Sequence, residues 1–87
     1  TLHEIGHFFH KLIGFDAITE DLFEEESGAA ARVLGTYAKT NHKEYFAEVF
    51  DYWLRHDDHS KLEQVAPKTH AYFTALEKGN WKAVPNT

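Results

Sequence analysis

Apolar residues recur at helical spacing along almost the whole chain, and no stretch alternates in the manner of a half-buried strand. Leu2, Ile5, Phe9, Leu12 and Ile13 outline an opening helix, which Gly14 is expected to stop. Asp16 or Thr19 can cap a second helix running to Glu26, where Ser27-Gly28 is expected to break it. Glu24, Glu25 and Glu26 then read as a solvated acidic end, or as a rim that attracts a cation. Ala29 to Leu34 suggests a short helix and Gly35 to Thr40 a loop. Asn41, with Glu44 three residues on, marks the start of a strong helix through Arg55. His56 to Ser60 is a polar turn, and Lys61 to Ala66 a short helix. Pro67 opens a last helix that Gly79 ends. The prediction is an all-α fold, a single domain over 1–87 with 80–87 as a tail. Phe46, Trp53, Tyr72, Phe73 and Leu76 are expected to form the core between the last two long helices.

Composition narrows the function classes. At 87 residues a single core is small, and with no cysteine no disulfide can reinforce it, so a bound ion would help. A net charge of −5 argues against a nucleic-acid partner. No run is long and apolar enough to span a membrane. Seven histidines beside nine Lys plus Arg are an excess that needs a reason.

The first reason is His3-Glu4-Ile5-Gly6-His7. Residues four apart stand one turn apart on the same helix face, so His3 and His7 can aim two imidazole nitrogens at one ion. Glu4, rotated by about 100°, cannot share that ion easily but can reach a water held by it. Two ligands plus a general base are what a zinc hydrolase needs. On the helical wheel His3, His7, His10, Glu4 and Lys11 share a polar arc opposite Leu2, Ile5, Phe8, Phe9, Leu12 and Ile13. The histidines are therefore expected off the core, with His10 at the rim or supporting the ligands. The alternative is a polar face that happens to be rich in histidine. A metzincin arrangement is excluded, because His10 and Ile13 stand where that pattern needs glycine and histidine.

A catalytic zinc needs a third protein ligand and keeps a position for water. Tyr45, Phe46, Val49, Phe50, Tyr52, Trp53 and Leu54 cover most of the helix after Asn41, leaving a stripe of Glu44, Glu48, Asp51 and Arg55. Glu44 can ligate, and Glu48 can accept from the outer nitrogen of a ligating histidine. Equally, Glu44 can serve as the capping-box partner of Asn41, and Glu48 with Arg55 as a solvated face.

These residues resemble a known family. His3-Glu4-Ile5-Gly6-His7, Gly35-Thr36-Tyr37, Glu44-Tyr45-Phe46-Ala47-Glu48-Val49-Phe50 and Ala66-Pro67-Lys68-Thr69 together look like the catalytic domain of anthrax toxin lethal factor and its relatives, over residues 1 to 78. The resemblance implies the helical C-terminal half of a zincin-type metalloprotease domain with its upstream sheet outside this sequence. It implies one zinc ion held by His3, His7 and Glu44, with Glu4 as general base. Tyr37 would be the donor to the transition state, and Glu48 would support a ligand. A peptide or protein substrate and secretion are implied with them. The family carries acidic residues after the second histidine, where this chain has His10, so the local electrostatics differ. The chain opens on the first motif without an initiating Met and reads as a piece of something longer. Because related proteases hold substrate on a strand upstream of the zinc helix, the isolated piece is expected to bind zinc yet cleave peptides poorly. The rival readings are a degenerate domain kept as a protein-binding module and a plain helical adaptor. His56, His59 and His70 read as surface residues or helix-end caps, in preference to a second metal cluster at Asp57-Asp58-His59.

Overall fold

Five α-helices and one 3-10 turn organise the described residues, 2–12, 17–79 and 81, of the computed structural model. In chain order they are α1 (Leu2–Leu12), α2 (Ala17–Leu34), the 3-10 turn Thr36–Lys39, α3 (His42–Arg55), α4 (Ser60–Val65) and α5 (Pro67–Lys78). No strand occurs among the described residues, so the fold is all-α as its periodicity predicts. No described helix is long and apolar enough to cross a membrane. Ile13, Gly14 and Asp16, assigned by sequence to the end of one helix and the cap of the next, lie outside the described residues.

The core is built around α3. Asn41 is extended, and its Oδ1 accepts the Glu44 N–H at 2.9 Å, satisfying one of the amides that a helix start leaves unpaired. From there Tyr45, Phe46, Ala47, Val49, Phe50 and Trp53 are buried in succession. Phe46 meets Phe73 of α5 at a ring separation of 5.1 Å, and Trp53 meets Phe73 at 5.7 Å. The Trp53 indole N–H donates to Glu77 at 3.0 Å, which gives the buried ring its polar outlet. His59 stacks on Trp53 at 3.6 Å and its Nε2 lies 2.9 Å from the Trp53 carbonyl in the last turn of α3, so of the two expected roles it takes that of a helix-end cap, packed against the core. Asp58 caps the Ser60 N–H at the start of α4, a structural use for the acidic pair considered above as a metal cluster.

α2 overturns the predicted break at Ser27-Gly28. It runs unbroken through both, with Ser27 buried and Gly28 facing open space. A mid-helix glycine costs about 1 kcal/mol, less than the packing of Leu22 and Ala30 and the bonds of Glu26 return. Glu26 is buried, contrary to the expectation of a solvated acidic end. Its Oε2 accepts the Lys68 N–H at 3.0 Å, and its Oε1 accepts the Thr69 N–H at 2.7 Å and the Thr69 hydroxyl at 2.8 Å. Ala66, which precedes α5, has no side chain to cap it, and Pro67 needs no amide partner. Glu26 therefore caps α5 from another helix. Tyr45 extends this chain of bonds, its hydroxyl 2.8 Å from Thr69 Oγ1. Burial, with the nearby Glu26 charge, pushes the Tyr45 hydroxyl up to about 12 against the pull of the Thr69 bond.

Gly35 ends α2 at φ 101°, a left-handed value that favours glycine, and turns the chain into the 3-10 segment that carries Tyr37. Trp81, assigned by sequence to the 80–87 tail, instead returns to the core. Its N–H donates to the Leu76 carbonyl at 2.8 Å, and its ring lies 5.4 Å from Phe50 and 5.9 Å from Phe9.

Candidate metal centre

α1 lies directly on α3, and small residues set how closely. A Cβ added at Gly6 would sit 3.0 Å from the Ala47 Cα and 3.1 Å from the Phe50 Cβ, so the two backbones meet where no larger side chain fits. The close approach carries the adjoining residues inward with it. His3 and His7 face α3 one turn apart, opposite Glu44 and Glu48.

Three side chains converge. His3 Nε2 and His7 Nε2 are 3.0 Å apart, His3 Nε2 is 3.1 Å from Glu44 Oε2, and His7 Nε2 is 2.8 Å from Glu44 Oε1. The structure thus brings together His3, His7 and Glu44, the only such group of potential ligands among the described residues. Two neutral imidazoles with lone pairs at this distance repel unless a proton or a cation lies between them. Nitrogen and oxygen ligands at tetrahedral zinc, about 2.0–2.1 Å from the ion, stand about 3.3 Å from one another, so the observed triangle needs only a slight expansion. The donor set of two imidazoles and a carboxylate fits zinc.

The surroundings orient this set. His3 Nδ1 lies 3.2 Å from Glu48 Oε1, which favours the proton on Nδ1 and leaves the Nε2 lone pair for the centre. Asn41 does bond the Glu44 amide, as the capping alternative requires, but the Glu44 carboxylate turns to the imidazoles. Burial pushes the Glu44 carboxyl up. The hydrogen bond from Tyr37, the charges of His7 and His3, and the His3 bond outweigh it and hold the pKa below the usual value. Tyr37 is half exposed, with its ring 5.7 Å from that of His3. Its hydrogen bond to Glu44, then the charge of that carboxylate, burial and the charge of Glu48, raise its pKa and keep the hydroxyl protonated. Glu4 stands exposed on α1, between the two histidines in sequence.

His10 departs from its predicted place. It is fully buried, stacked on Phe46 at 4.2 Å with the rings 8° apart, and its Nε2 lies 3.0 Å from Thr19 Oγ1 of α2. It is a core residue and not a rim residue, because the histidine stripe of α1 is the stripe that faces α3. Sequence reasoning also missed Gly6 and Ala47, whose signal was the pairing of small residues on two facing helices.

No curated protein and no solved structure matches the chain. The family model described as "Anthrax toxin lethal factor, N- and C-terminal domain" matches residues 1–76, and the chain therefore belongs to the anthrax toxin lethal factor family.

Proposed function

We propose that this chain carries the catalytic centre of a zinc metalloendopeptidase. The family description covers N- and C-terminal domains alike, so the residues must separate a catalytic domain from its relatives. The observation that carries the reading is the convergence of His3 Nε2, His7 Nε2 and the Glu44 carboxylate, with Glu48 behind His3. His3, His7 and Glu44 would hold one zinc ion, and Glu48 would fix the ring of His3. When bound, zinc supplies Lewis acidity that polarises a carbonyl and acidifies water.

The chain's own groups do the rest. The Glu4 carboxylate, one residue from a ligand and exposed, accepts a proton from the attacking water and returns it to the departing amine nitrogen. The Tyr37 hydroxyl, held protonated at the edge of the centre, donates to the oxygen on which negative charge develops. The substrate is a peptide or protein, and secretion follows from the family.

A second reading, a protein-binding module, draws on one observation. Ile5, Phe8 and Leu12 form an exposed apolar stripe on the helix that carries the histidines.

Zinc content and peptide hydrolysis separate the two. Wild type is expected to bind one zinc ion, and His7→Ala and Glu44→Ala to lose it. Equal zinc uptake by all three would remove the centre. Glu4→Ala is expected to keep zinc and to lose at least about 100-fold in hydrolysis. Weak hydrolysis is expected of this piece alone, so the two readings separate on Glu4→Ala: hydrolysis unchanged by that substitution would favour the binding module.

A further inference from the structure

Tyr37 reaches the candidate centre from outside the two helices that carry its ligands. Gly35 ends α2, its N–H donating to the Ala31 carbonyl at 2.8 Å, and its φ of 101° lies in the left-handed region. A Cβ added there would meet nothing within 4 Å, so backbone conformation and not space favours glycine. The turn that follows is pinned by Ala38, which is fully buried between the exposed Tyr37 and Lys39. It is closed by the Ala38 N–H on the Gly35 carbonyl at 3.3 Å and the Thr40 N–H on the Tyr37 carbonyl at 3.1 Å. The backbone of Tyr37 is held on both sides, while its half-exposed side chain projects toward α3.

The Tyr37 hydroxyl donates to the Glu44 carboxylate. That carboxylate also meets His7 Nε2 at 2.8 Å through Oε1 and His3 Nε2 at 3.1 Å through Oε2. An ionised carboxylate accepts at about four sites, so the two imidazoles do not exhaust it. With an ion at the triangle the histidine nitrogens turn to the metal, but the Tyr37 bond involves neither histidine and remains available. Tyr37 thus stands to Glu44 as Glu48 stands to His3, a partner outside the ligand set that fixes the direction of one ligand.

We propose that Tyr37, aimed by Gly35, is a positioning residue for the zinc ligand Glu44 and sets the affinity for the ion before any substrate arrives. The inference rests on the metallopeptidase reading and gives its tyrosine a second task. A hydroxyl has a single proton to donate. In the resting centre that hydrogen bond goes to the Glu44 carboxylate, and during hydrolysis it is handed to the substrate oxygen that gains charge. Loss of the hydroxyl therefore costs metal affinity as well as rate. Gly35 contributes through where it places Tyr37, and through nothing else in the centre.

The test measures the zinc affinity of the full chain by competition with a chelator, with no substrate present. Tyr37→Phe, which keeps the ring and removes the hydroxyl, is expected to bind zinc about tenfold more weakly than the wild type. Gly35→Ala is expected to weaken binding in an otherwise wild-type chain and to add nothing in a Tyr37→Phe chain. Cobalt(II) seated in the Tyr37→Phe chain is expected to give visible absorption bands displaced from those of the wild type, because the carboxylate it meets is held differently. Equal zinc affinity in wild type and Tyr37→Phe would overturn the inference and leave the metal centre standing. So would a weaker affinity with unchanged cobalt bands, which would reduce the tyrosine to a contribution to general stability. Additive losses from Gly35→Ala and Tyr37→Phe would overturn the part assigned to Gly35. A wild-type chain that takes up no zinc would overturn the metal centre and this inference together.

Discussion

α3 and α1 carry similar amphipathic patterns and bury different parts of them. In α3 the apolar residues Tyr45, Phe46, Val49, Phe50 and Trp53 go inside, and of the polar stripe Glu44 and Glu48 turn, half-buried, to the histidines of α1. In α1 the histidines face the neighbour, with Phe9 beside them against Phe46 and Phe50. Gly6 and His10 are buried, whereas Phe8 and Leu12 are 64% and 67% exposed. The difference lies in what each stripe can meet. The histidines of α1 have a carboxylate waiting on α3 and a glycine that lets the two helices touch. Polar groups pack inward when their partners are already in place. A hydrophobic stripe therefore says which residues are apolar, and the facing surface decides which are buried.

The largest effect expected from breaking this contrast is in α3. Phe46→Ala removes a ring that touches Phe73, Phe9 and His10, and should cost about 3–5 kcal/mol in chemical denaturation. Next comes Tyr45. Its hydroxyl ionises at about 12 in the folded chain against an ordinary 10.0, so its contribution is fully present below pH 10. That contribution is lost as pH rises toward 12, by about 2–3 kcal/mol in all. Denaturation midpoints from pH 9 to 12 should fall accordingly, and a Tyr45→Phe chain should lack that part of the decline. Gly6→Ala tests the close contact itself. Overpacking should cost about 1–3 kcal/mol and weaken zinc binding with it, read by calorimetric titration. Smallest is the exposed side of α1, where Phe8→Ser and Leu12→Ser should each change the chain's stability by less than about 0.5 kcal/mol. A loss as large as that of Phe46→Ala would show that the stripe is covered.

Much of this was legible because it is local. Asn41 announced α3, and Pro67 and Gly79 bracketed α5. The spacing of His3 and His7 put two imidazoles on one face whatever lay around them. Glu44 was legible as one of two candidates, ligand or capping partner of Asn41, and the resemblance of Glu44-Tyr45-Phe46-Ala47-Glu48 tipped it to the first. The illegible parts depend on residues distant in sequence. Glu26 caps a helix start 42 residues away, and nothing near it in the chain signals that. Ser27-Gly28 reads as a break until Glu26 and Ala30 are seen to hold the helix across it. His10 looked like its neighbours on the wheel and differs only because Phe46 and Thr19 lie beside it. A cavity of about 520 Å³ joins Arg32 of α2, Tyr52 of α3 and Lys61 of α4, which share no local pattern.

The placement of Trp81 gives the molecule a built-in optical gauge. Its indole leans on Phe9 from the histidine-bearing helix and on Phe50 from the glutamate-bearing one. Any loosening between those helices admits solvent to that ring and shifts its emission to the red. With Trp53→Phe silencing the other indole, seating of an ion at His3, His7 and Glu44 becomes visible as a fluorescence change in an unlabelled chain.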